Sequence, residues 1–129
     1  VLDIGGGPGR CIAELAARAP DGRVIAVDPS ELMVEIAANR NRKLLKARRA
    51  EILVASAASL PFSDNAFDKA LCVHVIYFWN DIDAALREIA RVMKPGGILA
   101  LLFRTNADEA AMSAFPAEVY NFRALDDVI

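Results

Sequence analysis

Apolar residues along the chain fall into two kinds of segment that alternate from one end to the other. Short segments that are apolar almost throughout are separated by longer ones in which apolar residues recur every three or four positions. The short segments are residues 1–4, 23–27, 51–57, 67–75 and 98–103, and the longer ones are residues 10–19, 31–48 and 82–93. Strands that are apolar on both faces are typical of a parallel sheet covered by helices on both sides. The pattern therefore predicts an α/β fold, a doubly wound parallel sheet in three layers.

Residues with special backbone preferences mark the ends of the predicted helices. Ser30 is placed to cap the helix over residues 31–48, and Asn80 or Asp81 to cap the next one. A cation, a proline and two glycines in residues 94–97 are expected to end that helix before the fifth strand. Residues 106–122 have only weak helical periodicity.

The fifth predicted strand, residues 98–103, is apolar. If it is the last strand, the sheet ends in an exposed apolar edge, which promotes aggregation. We therefore expect further chain, or a second copy of the protein in a homodimer, to cover this edge.

Composition limits the chain to one domain and excludes several classes of protein. The 129 residues are 55% hydrophobic, which is ample for a core, so residues 1–129 are treated as a single domain. No apolar run approaches the roughly 20 residues of a membrane helix, and the N-terminus lacks the basic lead of a signal peptide. The net charge of −2 provides no basic surface for nucleic acid. These features predict a cytoplasmic protein that binds neither membranes nor nucleic acids.

The chain begins with Val1 in the middle of a predicted strand, so we expect it to be part of a longer protein. Cys11 and Cys72 lack the spacing of a metal site, and no metal is predicted. Both are expected to be reduced thiols, with a disulfide as the alternative.

The first predicted strand ends in a segment with four glycines in five positions, residues 5–9. Glycine permits positive φ and leaves space for a ligand next to the main chain, and the following helix presents free N–H groups. A tight turn between two buried elements would need only one or two glycines. We interpret the segment as a loop that holds a cofactor.

Asp28 ends the second predicted strand, about 20 residues after the glycine loop. In a doubly wound sheet this position lies next to the ribose of a bound nucleotide, and a carboxylate can accept hydrogen bonds from both ribose hydroxyls. Asp28 is also placed to cap the following helix. We favour ribose binding because the glycine loop precedes it.

Four segments in order make the chain resemble the class I S-adenosylmethionine-dependent methyltransferases, in the branch with an LPF…FD segment before the fourth strand. They are VLDIGGGPG, VIAVD, ASAASLPFSDNAFD and RVMKPGGILAL, and they span nearly the whole chain. The resemblance implies a Rossmann-like sheet with strand order 3-2-1-4-5 and S-adenosyl-L-methionine as the cofactor. Nicotinamide dehydrogenases carry G-x-G-x-x-G instead, and here Arg10 stands at the third glycine of that pattern.

The resemblance also implies which residues contact the cofactor. The glycines would wrap its methionine part, and Asp3 would orient the loop or the cofactor's amino group. Many relatives have Asp where this chain has Ser56, whose neutral side chain accepts a hydrogen bond from the adenine only weakly or through water. The implied contacts are Asp3, Gly5, Gly6, Gly7 and Gly9 at the loop, Asp28 at the ribose, Pro29 or Met33 on the adenine face, Ser56 and Ala57 at the adenine edge, and Val73 near the methionine.

The end of the fourth strand, residues 72–79, matches the family's segment that lines the methionine and the methyl acceptor. His74, the only histidine, is either a general base or a packed residue on an apolar strand. Tyr77 and Trp79 form either an aromatic wall around a substrate or the sulfonium, or part of the core. Arg104 faces either an anionic substrate or solvent. His74 and Tyr77 are the candidate catalytic residues.

The sequence thus predicts a methyltransferase that moves a methyl group from S-adenosylmethionine to a small molecule by in-line displacement. An inactive cofactor-binding or interaction domain of the same fold is one alternative, which Ser56 favours. A nicotinamide-dependent oxidoreductase is a further alternative, which the glycine spacing opposes.

Overall fold

The computed structural model describes residues 1–128, and it consists of strands and helices that alternate along the chain. Two short 3-10 helices, Ile76–Phe78 and Leu125–Asp127, complete the structure. The elements are β1 (Leu2–Ile4), α1 (Ile12–Arg18), β2 (Val24–Asp28), α2 (Glu31–Arg40), α3 (Arg42–Lys46), β3 (Ala50–Val54), β4 (Phe67–Val73), α4 (Ile82–Val92), β5 (Met93–Leu102) and α5 (Glu109–Ala114).

The strands form one parallel sheet in the order β3-β2-β1-β4-β5. The predicted fold class and strand order are therefore confirmed. Because β1 lies in the centre, the chain crosses to β2 on one side of it and returns later to β4 on the other. The carboxyl end of β1 is thus the point at which ligands bind in sheets of this kind.

Apolar side chains alternate between the two faces of the sheet and build a core on each side. Leu2, Ile4 and Val27 pack in the core that includes Ile89 of α4. On the other face, Val24 and Ala26 belong with Ile12 and Ala16 of α1 to a second core cluster. Helices therefore cover both faces, as the uniformly apolar strands predict.

The helix predicted over residues 31–48 is interrupted, and this prediction was wrong. Helix α2 ends at Arg40, and after Asn41 a separate five-residue helix, α3, follows. The Asn41 side chain donates to the carbonyl oxygens of Gly9 and Ala37, both at 2.9 Å, and it is buried. A buried amide that bonds the backbone in this way competes with the helical pattern, which explains the break.

The predicted boundaries around β4 and β5 also need correction. Strand β4 ends at Val73 rather than at residue 75, because His74 adopts a φ of +53° and the chain turns there. Strand β5 begins at Met93, directly after α4, so the Pro-Gly-Gly segment lies within the strand. The register of the β4–β5 pairing shifts at this segment, between Phe67 and Lys69 of β4. Of residues 106–122, only Glu109–Ala114 form an α-helix.

Strand β5 forms the edge of the described sheet, as predicted, and its second half carries exposed apolar side chains. Ile98 is 61% exposed and Leu102 is 55% exposed. The homodimer expected to cover this edge stays a prediction. Both cysteines are free thiols, and within residues 1–128 no helix has the length and apolar content needed to cross a membrane.

Candidate functional site

The parallel sheet brings the predicted site residues to one edge, because all strands end there. The loop after β1 lies between Asp28, which ends β2, and the turn that follows β4. The Ala55 N–H donates to the Asp28 carbonyl at 3.1 Å, which holds residues 55–57 beside β2. The His74 N–H donates to the Leu102 carbonyl at 2.8 Å, which ties the end of β4 to the end of β5.

The glycine loop needs its glycines for two different reasons. Gly5 and Gly9 have positive φ and are tightly packed: a Cβ on Gly5 would overlap the Val75 side chain, and one on Gly9 would lie 2.7 Å from Ala37 Cβ. Gly7 also has a positive φ, of +51°, but a Cβ there would meet nothing within 4 Å. Gly7 therefore faces open space, where a ligand can approach the main chain.

The carboxylate of Asp28 organises the loop and the start of α2. Its Oδ2 accepts from the Gly7 N–H and its Oδ1 from the Ser30 N–H, both at 2.9 Å. Ser30 is the helix cap, as predicted, and accepts from the Met33 N–H at 3.3 Å. Each carboxylate oxygen has a further lone pair, so these contacts leave Asp28 able to accept from a ligand as well. Its ribose role stays a prediction.

Asp3 is a buried carboxylate on the α1 face of the sheet, directly beneath the loop. It is 3% exposed, and its Oδ2 has no hydrogen-bond partner within residues 1–128. A Cβ on Gly6 would lie 3.1 Å from this oxygen. Burial, and secondarily the nearby Asp28 carboxylate, raise the pKa of Asp3 to about 6. A cationic group bound above the loop would offset both effects, and the amino group of S-adenosylmethionine fits that requirement.

The other predicted cofactor contacts lie at the same edge with different exposures. Pro29 is exposed and Met33 is half-buried in the first turn of α2. Ser56 is exposed and forms a bridge with Ser59, whereas Ala57 is buried in the core under α4. Val73 is half-buried at the end of β4.

Two supports of the site were missed from the sequence. Asn41 ties the glycine loop to α2, and its only signal was a polar residue at the end of the helical pattern. Glu88 and Arg91 on α4 hold the LPF segment: Glu88 accepts from the Leu60 N–H at 2.9 Å, and Arg91 donates to the carbonyls of Leu60 and Phe62. Arg91 also lowers the pKa of Glu88 to about 2.

Beyond β4, three residues form a hydrogen-bonded chain. The Arg104 N–H donates to the Tyr77 hydroxyl, which lies 3.1 Å from His74 Nδ1. Tyr77 is 4% exposed, so its ring belongs to the core while its hydroxyl reaches the site. Arg104 Nη1 pairs with Asp108 Oδ2 at 3.2 Å.

These residues line a cavity of about 460 Å³ at the β5 end of the edge. His74 and Tyr77 line one side of it, together with Phe78 and Arg104. Its other walls come from α5 and from aromatic residues of the C-terminal segment, residues 115–128. The candidate catalytic residues His74 and Tyr77 therefore lie together. Among residues 1–128, no group of three His, Cys, Asp or Glu side chains is arranged to hold a metal ion.

Comparison with known proteins finds similar sequences over most of the chain. A family model described as a methyltransferase domain matches residues 2–101. The chain is 34% identical to a ubiquinone/menaquinone biosynthesis C-methyltransferase, UbiE, of Hahella chejuensis, over 97% of this chain and 50% of that protein. It spans about half the length of the curated relatives that it matches.

Solved structures show the same fold. The structure of the [4+2]-cyclase SpnF superimposes with a TM-score of 0.82 at 32% identity, covering 98% of this chain and 47% of the other. A SAM-dependent methyltransferase from Aquifex aeolicus gives a TM-score of 0.74 at 28% identity, covering 81% and 55%.

Proposed function

This chain belongs to the S-adenosylmethionine-dependent methyltransferase family, and we propose that it transfers a methyl group from that cofactor to a small-molecule acceptor. The family is the one that the sequence motifs predicted. The observation that carries the proposal is the buried Asp3 carboxylate, whose Oδ2 has no hydrogen-bond partner within residues 1–128, beneath a glycine loop that is open above Gly7. That arrangement suits a ligand that approaches the main chain at Gly7 and places a positive charge near the Asp3 carboxylate.

The cofactor would be held mainly by the β2 end of the edge. Gly7 would allow close approach of the methionine part, Asp3 would face its ammonium group, and Asp28 would accept from the ribose hydroxyls. Pro29 or Met33 would cover the adenine, with Ser56 at its edge.

Methyl transfer makes small demands on side chains. Bound S-adenosylmethionine supplies a methyl carbon already activated by the sulfonium, whose sulfur keeps the electron pair when the new bond forms. The protein has to align the acceptor atom with that carbon and sulfur, and the cavity beside His74 is the place where an acceptor would lie. A base is needed only if the acceptor atom carries a proton at neutral pH.

The SpnF relative motivates a second candidate function. That protein, 32% identical and of the same fold, is a [4+2]-cyclase. Similarity at this level therefore supports the fold and the family more firmly than the reaction, and a cofactor-binding domain without methyl transfer is the alternative.

Calorimetric titration with S-adenosylhomocysteine, with NADH as the control ligand, tests cofactor binding in this chain and in any longer form of the protein that contains it. Saturable binding of the homocysteine compound alone is expected. Binding of NADH alone would instead favour an oxidoreductase, and binding of neither would refute the proposal.

Substitution of Asp28 tests the geometry of the site. Asp28→Ala is expected to weaken S-adenosylhomocysteine binding by about 1–3 kcal/mol, because the ribose hydroxyls and the Gly7 N–H lose their acceptor. Asp21→Ala, in the exposed turn after α1, is the matched control and should leave the affinity unchanged. An unchanged affinity in Asp28→Ala would remove this residue from the site.

A further inference from the structure

The walls of the cavity beside His74 are almost entirely apolar. Rings of the C-terminal segment contact one another and Phe78, with centroids 4.9 Å apart for Phe115 and Tyr120 and 5.0 Å apart for Phe78 and Tyr120. Helix α5 contributes only alanines, which leave room between it and the rings. Walls of this kind favour an apolar, ring-bearing ligand.

Polar groups interrupt these walls at four side chains, the imidazole of His74, the guanidinium of Arg104 and the hydroxyls of Tyr77 and Tyr120. The charge of Arg104 is partly neutralised by Asp108, at 3.2 Å. His74 uses Nδ1 toward Tyr77, and its Nε2 has no partner within residues 1–128. The imidazole therefore offers a ring nitrogen with unused hydrogen-bonding capacity at this site.

The hydrogen bonds of Tyr77 determine which nitrogen of His74 carries the proton. The Tyr77 oxygen already accepts from the Arg104 N–H, so its own proton needs an acceptor. The acceptor in reach is His74 Nδ1, 3.1 Å away, and a buried hydroxyl left without one is costly. We assign Nδ1 as the acceptor on this basis, and the neutral ring then carries its proton on Nε2.

We infer that His74 donates a hydrogen bond through Nε2–H to an anionic oxygen of a ring-bearing acceptor, of the phenolate or enolate type, bound in this cavity. That the ligand is the methyl acceptor rests on the proposed function. An acceptor that binds already ionised has no proton to lose, so His74 would position and stabilise it and would not act as a base. Arg104 adds positive charge to the same cavity.

Equilibrium dialysis with two probes of nearly equal shape tests this inference. 4-Nitrophenol, at a pH where it is ionised, carries an oxygen anion where 4-nitrotoluene carries a methyl group. We expect the phenolate to bind about tenfold more tightly, as a hydrogen bond to a charged group predicts. The preference should nearly disappear in His74→Leu and persist in His74→Gln, whose amide can donate from a similar position.

The ratio of the two affinities is insensitive to general effects on folding, because a variant that disturbs the cavity weakens the binding of both probes. Equal binding in the wild type, a ratio unchanged by His74→Leu, or a ratio lost in His74→Gln would each overturn the inference. The inference would also be overturned if the preference for the phenolate were lost in Arg104→Met but not in His74→Leu, because the anion would then bind to the guanidinium.

A second pair of variants locates the probes without touching His74. Ala114→Phe fills the cavity from α5 and should weaken both probes at least fivefold, whereas Met112→Phe, on the same helix but outside the lining residues, should not. Equal effects of the two substitutions would show that the probes bind elsewhere, which would overturn the inference.

S-Adenosylhomocysteine binding, measured on the same samples, separates this inference from the proposed function. Loss of the phenolate preference with cofactor binding intact would refute the role of His74 alone. Cofactor binding absent from the wild type, with the preference intact, would refute methyl transfer and uphold the anion-binding cavity.

Discussion

The two ends of the carboxyl edge are built in different ways. At the β2 end, main-chain groups make the site: the N–H groups of Gly5 and Gly6 both donate to the Val27 carbonyl, at 2.8 and 3.1 Å, and Gly7 donates to Asp28. At the β5 end, side chains make it. There the cavity is bounded by aromatic rings and alanines, and the C-terminal segment is tied back by bonds such as Arg123 Nη2 to the Trp79 carbonyl, at 2.8 Å.

This difference determines what each end can tolerate. A loop defined by backbone angles and close packing loses its shape when almost any atom is added. A cavity lined mostly by exposed or half-exposed side chains changes its shape when these are replaced, while the sheet beneath it stays intact. The β2 end is therefore suited to a constant ligand, and the β5 end to a variable one.

The largest loss of stability should come from Gly5→Ala, which adds an atom to the tightly packed β2 end. The new Cβ would overlap Val75, and φ at this position is +70°. A non-glycine residue in this backbone region costs about 1–2 kcal/mol on its own, so with the overlap we expect the free energy of unfolding to fall by more than about 2 kcal/mol. Denaturant titration measures it.

Gly7→Ala is the matched control, because its φ is also positive but its Cβ would meet nothing within 4 Å. It should cost only the backbone term, about 1–2 kcal/mol. The double variant Gly5→Ala/Val75→Ala should recover part of the Gly5→Ala loss. If the two single variants lose equal stability, packing against Val75 does not explain why glycine is needed at position 5.

Asp3→Asn should raise the free energy of unfolding of the unliganded protein, by an amount similar to the loss in Gly5→Ala. The pKa of Asp3 is raised from 3.8 to about 6 by burial and by Asp28, so ionising it destabilises the fold. The protonated Asp3 therefore contributes its full stability to the native state below pH 4, and this contribution is lost as the pH rises through 6. Above pH 6 the variant should exceed the wild type by about 3 kcal/mol, a figure obtained from the shift in pKa.

Urea titrations of both proteins from pH 4 to pH 8 measure this difference. It should be near zero at pH 4 and reach its full size above pH 6. The variant should also bind S-adenosylhomocysteine more weakly, since the ligand's amino group loses its counter-charge. If the difference in free energy of unfolding between the two proteins does not vary with pH, the fold does not raise the pKa of Asp3.

The sheet and its strand order were predictable because the signals for them are local and repeated. Uniformly apolar strands such as β2 indicate burial on both faces, and the glycines and Asp28 mark the carboxyl edge. The break at Asn41 was not predictable, since the amide acts through Gly9, 32 residues away in sequence. Long-range side-chain contacts of this kind leave no period in the sequence.

The β5 end was the harder part to predict, for the same physical reason. His74 and Tyr77 were identified as candidates, but their link through the Arg104 main chain depends on how β4 and β5 pair. The aromatic walls come from residues 115–122, whose sequence shows only weak periodicity. Their packing is set by contacts between rings, which a pattern of apolar positions does not specify.

The smallest effect on stability should come from Phe115→Ala, at the variable end. Phe115 lines the cavity but is 42% exposed, so its removal should lower the free energy of unfolding by less than about 1 kcal/mol. The same change widens the cavity and should weaken binding of 4-nitrotoluene several-fold, with S-adenosylhomocysteine affinity unchanged. Met112→Ala, on the preceding helix α5, 48% exposed and outside the lining residues, is the control for both measurements. A loss of stability as large as that of Gly5→Ala would mean that the aromatic walls belong to the rigid core, and the contrast between the two ends would then be wrong.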